Sequence, residues 1–236
     1  MSNPVQARDG CLSVVATPIG NLADLSARAR EVLSAADAIA CEDTRVTGRL
    51  IANAGMPKRP LVACQEHNER QRAPDLANRI EQGQHVALVS DSGTPAISDP
   101  GFRLVRECRR RGLQVRVIPG PNAALSLLSI SGLPTDRFTF VGFVPPKSGG
   151  RRKLLEEFSE RSETLVAYES PHRIERLLEA IVEVLGPERT LCVGRELTKR
   201  FEASHSGPAE AVRERVLTEP VKGEYVLCIA AKDYVL

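Results

Sequence analysis

Hydrophobic positions in the first half of the chain fall into short runs separated by stretches of helical spacing. Leu12–Ala16 is a mostly apolar run of strand length. Leu25, Ala29, Val32, Leu33 and Ala36 recur at the helical period and predict a helix with one apolar stripe. The alternation continues with strands at 38–41, 61–64, 86–90 and 115–118 and helices over 47–54, 68–82 and 102–111. Five strands joined through helices predict an α/β fold with a doubly wound, mostly parallel sheet.

A breaker cluster, IPGPN at 118–122, ends this pattern, because two prolines remove backbone donors around a glycine. It predicts a boundary between an N-terminal α/β domain, 1–118, and a C-terminal α/β domain of a different kind, 119–236. In the second part a small-residue helix is expected over 123–131 and a strand over 137–141, followed by a mobile loop, GFVPPKSGG, at 142–150. Beyond it come a strand at 164–168, a long amphipathic helix carrying Ile174, Leu177, Leu178, Ile181, Val182 and Leu185, and strands at 190–193 and 224–230 around a helix over 208–217. No internal repeat is visible.

Composition narrows the class. The chain has 236 residues, 42% of them apolar and 26% charged, enough for a substantial core and too balanced for a disordered or coiled-coil protein. No apolar run approaches the roughly 18 residues of a membrane span, and MSNPVQARDG lacks an apolar signal core, so a cytoplasmic protein is expected. The net charge of +2 names no partner. Its basic side is nearly all Arg, 26 against 6 Lys, which fits either a GC-rich genome or phosphate recognition by the guanidinium fork. The six Cys contain no C-x-x-C pair and the four His no H-x-x-x-H pair, so no metal site is expected. Cys41, Cys64, Cys192 and Cys228 end or interrupt apolar runs and read as buried small hydrophobes.

Candidate chemistry sits just after the strands, where open α/β sheets bind ligands. Three such segments are Gly/Pro/hydroxyl-rich: Thr17–Asn21, Asp91–Gly101 and Pro119–Asn122. One alone would be a tight turn; three on one sheet edge point to a small-molecule site that backbone atoms approach closely. G-x-G-x-x-G, the P-loop and G-x-S-x-G are all absent. Polar clusters follow other strands: Glu42–Arg45, Gln65–Glu69, Tyr168–Arg173 and Arg195–Arg200. Each alone reads as helix capping and surface ion pairing, with Asp43 and Ser170 suited to N-caps.

VATPIGNLADLSARAREVLSAADAIACEDTR, SDSGTPAISDPGF, IPGPNAALSLLSISGLPTDRF, YESPHR, GRELTKRFE and KGEYVL, in this order, resemble the small-subunit ribosomal RNA cytidine 2′-O-methyltransferases of the tetrapyrrole methylase superfamily. The resemblance spans roughly residues 12–230. It implies a two-domain α/β enzyme, commonly homodimeric, with S-adenosylmethionine in the cleft between domains and small-subunit (16S) ribosomal RNA as substrate. Gly93, Thr94 and Pro95 match the family's cofactor loop, with Thr94 at its acidic position, and Ala96, Ile97 and Ser98 continue it. Pro18 and Gly20 match the first-strand loop, Asn122 and Ala123 the pair after the Pro-Gly turn, and Tyr168 and Glu169 the residues closing over the adenosyl group. Gly194 stands where the pattern carries Cys, Asn122 where it carries Ser, and the chain ends at Leu236, before an extension that members often have.

The family has no universal catalytic residue. A 2′-hydroxyl is a weak nucleophile and gains from a positioned base. Glu42, Asp43, Glu66, His67 and Glu169 are candidates, with Asp43 and His67 ranked first because each follows a first-domain strand. Lys147, Arg151, Arg152, Lys153, Arg195, Lys199 and Arg200 are expected to hold RNA phosphates. Two other readings stay open: a tetrapyrrole-type small-molecule methyltransferase, and a non-enzymatic RNA-binding protein of the same fold.

Overall fold

The computed structural model describes residues 10–220 and 222–236. It divides into two compact units, one ending at Asn122 and the other running Ala123–Leu236.

In the first unit five strands, β1 (Cys11–Val15), β2 (Ala38–Cys41), β3 (Leu61–Ala63), β4 (His85–Leu88) and β5 (Gln114–Ile118), form one sheet in the order β3-β2-β4-β1-β5. Every pairing is parallel. Four helices connect them: α1 (Ala27–Ala35), α2 (Thr44–Asn53), α3 (Glu69–Glu81) and α4 (Phe102–Arg110). Side chains alternate across the sheet. Ile39, Cys41, Ala87 and Val89 pack with Leu33 of α1 and Ile51 of α2, whereas Leu12, Ala40, Val86 and Leu88 pack with Leu76 of α3 and Leu104 of α4. Both faces of the central strands β1, β2 and β4 are covered, which is why they read as apolar runs, whereas the edge strand β5 leaves Gln114, Arg116 and Val117 exposed. The connection leaving β1 runs to β2 on one side, and that leaving the adjacent β4 crosses to β5 on the other. The carboxyl ends of β1 and β4 therefore flank the crevice where such sheets bind ligands.

The second unit holds α5 (Ala123–Ile130), β6 (Phe138–Phe143), α6 (Ser148–Phe158), β7 (Thr164–Glu169), α7 (Ile174–Leu185), β8 (Thr190–Arg195), β9 (Ala203–Pro208), α8 (Ala209–Thr218) and β10 (Tyr225–Ile229). Its sheet has the order β6-β7-β10-β8-β9 and is mixed: β6 and β7 are parallel, and the other pairings antiparallel. α6, α7 and α8 cover one face around Leu165, Leu191, Leu227 and Ile229. α5 covers the other so closely that a Cβ at Gly194 would lie 2.6 Å from Leu127 Cδ1. Any larger residue there must displace that leucine. Among the described residues no helix is long and apolar enough to cross a membrane.

Two segments differ from the sequence reading. Residues 142–150 are not one loop: Gly142 and Phe143 complete β6 past a register shift, and Ser148–Gly150 form the first turn of α6. Gly142 takes a left-handed φ of 68°, so here glycine serves a bulge rather than a loop. β9 has the sequence ASHSGP, with no apolar alternation to reveal it, because it is an edge strand.

Glu69 ties α3 to α4. It is 4% exposed, and its Oε1 accepts from the amides of Gly101, Arg103 and Leu104 at 3.0, 2.7 and 3.3 Å, capping a helix that lacks a cap of its own. Glu69→Ala leaves these buried donors unpaired and should cost about 2–4 kcal/mol in urea unfolding, with Glu69→Gln milder because an acceptor oxygen remains.

Candidate functional site

Four loops at the carboxyl edge of the first sheet are tied into one surface. After β1, Thr17 pairs with Gly93 after β4: the Thr17 amide donates to the Gly93 carbonyl at 2.8 Å and the Gly93 amide to the Thr17 carbonyl at 3.1 Å. The buried Thr17 hydroxyl reaches the Ser90 carbonyl at 3.2 Å. The Thr94 hydroxyl donates to the Pro121 carbonyl at 3.0 Å, joining the β4 loop to the β5 loop. Asp91 Oδ1 accepts from the Asp43 amide at 3.0 Å, joining it to the β2 loop.

Glycine is required at two points of this surface. Gly93 has φ 79°, and a Cβ on it would sit 3.3 Å from Ile19 Cγ2; a Cβ on Gly120 would sit 3.0 Å from that of Ala16. Between them the wall is backbone, open to the close approach of a flat ligand. Ala96 and Ser98 are also left-handed, with φ 67° and 62°. Non-glycine residues in that region are strained and cluster at functional sites. Between them Ile97 stands exposed.

The sequence-predicted residues of the first unit therefore come together: Pro18 and Gly20 in the β1 loop, Gly93, Thr94, Pro95, Ala96, Ile97 and Ser98 in the β4 loop, and Asn122 at the end of the β5 loop. Ala123 opens α5. Thr17 and Asp91 lie in the Gly/Pro-rich segments without a role that the sequence assigns, and Ser90 lies just outside them; all three clamp the loops. Their signal was hydroxyl and carboxylate groups beside the key glycine.

The two leading base candidates fare differently. Asp43 caps α2, accepting from the Arg45 amide at 2.8 Å, and its carboxylate chelates the Arg45 guanidinium, with Oδ2 2.6 Å from Nη2. These bonds hold its pKa down at about 2, which makes it a poor proton acceptor. His67 lies exposed in a turn before α3, with no side-chain hydrogen-bond partner among the described residues. Glu42 is chemically the better proton acceptor: burial, then Asp91, Asp43 and Glu66, push its pKa up.

In the second unit Tyr168 and Glu169 point to opposite faces of β7, as successive strand residues must. Tyr168 accepts from the Ala124 amide of α5 at 3.3 Å and meets Phe140 and Phe143 edge-on. Glu169 is buried, with Oε1 accepting from the Ser170 amide at 2.7 Å and from Arg173 Nε at 2.8 Å. These contacts tie it to the start of α7, and its side chain does not stand open to solvent.

The expected phosphate-binding residues also divide. Arg151 is buried in the first turn of α6. Arg195 is held by Glu219 at 3.1 Å and the Pro220 carbonyl at 2.9 Å, and Lys199 by Glu196 and Glu224, both at 2.8 Å. Lys147, Lys153 and Arg200 are exposed, as is Arg152 despite its pairing with Glu156.

Residues 12–213 match the family described as Tetrapyrrole (Corrin/Porphyrin) Methylases. The chain is 49% identical over 222 residues to the ribosomal RNA small subunit methyltransferase I of Escherichia coli O157:H7, covering 93% of this chain and 77% of that protein. It is 46% identical over 225 residues to its counterpart in Haemophilus influenzae, covering 94% and 79%. Among solved structures, uroporphyrin-III-C-methyltransferase from Thermus thermophilus superposes with a TM-score of 0.64 at 23% identity, covering 94% of each chain. Diphthine synthase superposes at 0.67 with 16% identity, covering 94% of this chain and 90% of that one. At these identities the likeness is one of fold.

The Asp43 arrangement predicts a pH signature. Its folded pKa lies below its ordinary value of 3.8, so its stabilising contribution is full above that value and fades as pH falls toward about 2. Asp43→Asn should melt below wild type at pH 6, and the gap should close by pH 2 in a series of thermal melts.

Proposed function

The chain belongs to the tetrapyrrole methylase family, and from that membership we propose that it moves a methyl group from S-adenosylmethionine to the 2′-hydroxyl of a cytidine in small-subunit (16S) ribosomal RNA. Its much closer sequence relation to the ribosomal RNA methyltransferases than to the porphyrin enzyme favours RNA as the acceptor. The observation that carries the reading is the backbone-lined wall formed by the loops after β1, β4 and β5. Gly93 and Gly120 leave room where a Cβ would press on Ile19 and Ala16, which fits a flat adenosyl group. Gly93, Thr94, Pro95, Ala96, Ile97 and Ser98 would hold it, Ile97 offering an apolar side chain. When bound, the cofactor supplies a methyl on a sulfonium that a weak nucleophile displaces in line.

The chain's own task is to orient donor and acceptor and to receive one proton. Holding two reactants in line supplies much of the acceleration. Among the acids of this edge Glu42 is the best fitted acceptor, because its raised pKa brings it nearer the hydroxyl's than the Arg45-bound Asp43. Asp91 and Glu66, whose fields raise Glu42, also favour a cation nearby. Of the expected phosphate-binding residues, Lys147, Arg152, Lys153 and Arg200 are exposed. The reading includes a homodimer and a cytoplasmic location. The six free, buried cysteines suit a reducing compartment.

Incubating the protein with radiolabelled S-adenosylmethionine tests the reading. Label should enter small ribosomal subunits lacking the mark and should not enter a porphyrinogen; the reverse would reassign the substrate. Gly93→Val should stay folded by circular dichroism and lose cofactor binding in calorimetry. Glu42→Gln should lower the single-turnover rate about 10²–10⁴-fold with cofactor affinity kept. In wild type that rate should rise with pH through the raised Glu42 pKa and then level off.

A further inference from the structure

The loop between β8 and β9, residues 196–202, is built to hold one aromatic side chain in solvent. Glu196 and Thr198 are left-handed, with φ 50° and 66°, a conformation that persists only where surrounding contacts impose it. Those contacts are visible. The Glu196 amide donates to the Glu224 carbonyl at 3.0 Å, and Glu196 Oε1 accepts from the Glu224 amide at 3.0 Å and from Lys199 Nζ at 2.8 Å. The Lys199 amide returns to the Glu196 carbonyl at 3.0 Å, and the Glu202 amide to the Lys199 carbonyl at 3.1 Å. Leu197 is buried, 3.2 Å from where a Gly194 Cβ would lie. Gly223 leaves the space that the Glu196 side chain fills, since a Cβ there would lie 2.4 Å from Glu196 Cγ.

Every long side chain from Glu196 to Lys199 is thus turned inward. Arg200 and Phe201 are left outside. Phe201 is 66% exposed, more than any other aromatic among the described residues, and the Arg200 guanidinium lies 5.5 Å from its ring centroid. A rigid loop that shows water a bare phenyl ring beside a cation matches the chemistry of single-stranded RNA. Such RNA offers unstacked base faces and phosphates at adjacent positions.

We propose that Phe201 is a stacking platform for one unpaired nucleobase of the RNA substrate, with Arg200 holding the neighbouring phosphate. This rests on the ribosomal RNA reading given above. Phe201 is a substrate-positioning residue: it touches a base and takes no part in proton or methyl transfer.

The test compares Phe201→Ala, Phe201→Leu and Phe201→Trp with wild type in methyl transfer to small ribosomal subunits lacking the mark. Calorimetry with S-adenosylmethionine and thermal melting run alongside as controls. Phe201→Ala should raise KM for the subunits about 5- to 150-fold, the range for loss of one base–aromatic stack, with kcat and cofactor affinity kept. Phe201→Trp should restore it. Phe201→Leu, apolar but without a π-face, should not. On a fluorescent single-stranded RNA 12-mer, Arg200→Ala should flatten the salt dependence of binding by about 0.7 units, and Phe201→Ala should leave that slope unchanged. An unchanged KM in Phe201→Ala, or full rescue by leucine, would overturn the stacking role and leave the RNA reading standing. Absence of transfer to any subunit by the wild type would remove the RNA reading and this proposal with it.

Discussion

The pair of backbone hydrogen bonds between Thr17 and Gly93 is the contact on which the candidate site depends. It joins the segments leaving β1 and β4, two neighbouring strands whose connections depart in opposite directions. Without it each segment is a free loop at a sheet edge. With it the two form a single surface, to which Thr94 adds the β5 turn and Asp91 the β2 turn. Glycine at 93 is needed because φ is 79° there and because Ile19 stands where a Cβ would press. The strain at Ala96 and Ser98 is held by the same framework, with the Ala96 amide donating to the Pro100 carbonyl at 3.1 Å. Glu69 anchors the far end of that loop to α3.

Much of the first unit was legible in the sequence because parallel strands buried on both faces give unbroken apolar runs. The runs around Leu12, Ile39 and Val86 each became such a strand; that around Val117 became an edge strand with Val117 itself exposed. The three Gly/Pro-rich segments were legible for the same reason, since each directly followed such a run. What connects them was not. Hydrogen bonds such as Thr17 to Ser90 span 73 positions and leave no local pattern. The edge strand β9 was hidden for want of apolar alternation, and the bulge at Gly142 resembled a loop because the same residue type serves both.

Charged residues were the least legible. Asp43, Arg195 and Lys199 looked available because sequence shows a charge and not its partner. In the fold Asp43 belongs to Arg45, Arg195 to Glu219, and Lys199 to Glu196 and Glu224. Arg151 looked like a member of a basic run, yet the helical period turns it inward while Arg152 and Lys153 stay exposed. Glu42, passed over in favour of its neighbour, owes its raised pKa to burial and to Asp91, 49 positions away. The residues left free by these pairings, Arg200 and Phe201 among them, are the ones that can meet a partner.

We propose that the Thr17–Gly93 bridge turns separate loops into one preformed surface for S-adenosylmethionine. Amide hydrogen exchange across residues 16–21, 89–101 and 118–122, with and without the cofactor, measures it most directly. The Thr17 and Gly93 amides should exchange as slowly as the core strands in the free protein. Residues 94–98 should slow further when the cofactor is added. Fast exchange at Thr17 and Gly93, or no change at 94–98 on adding cofactor, would contradict it.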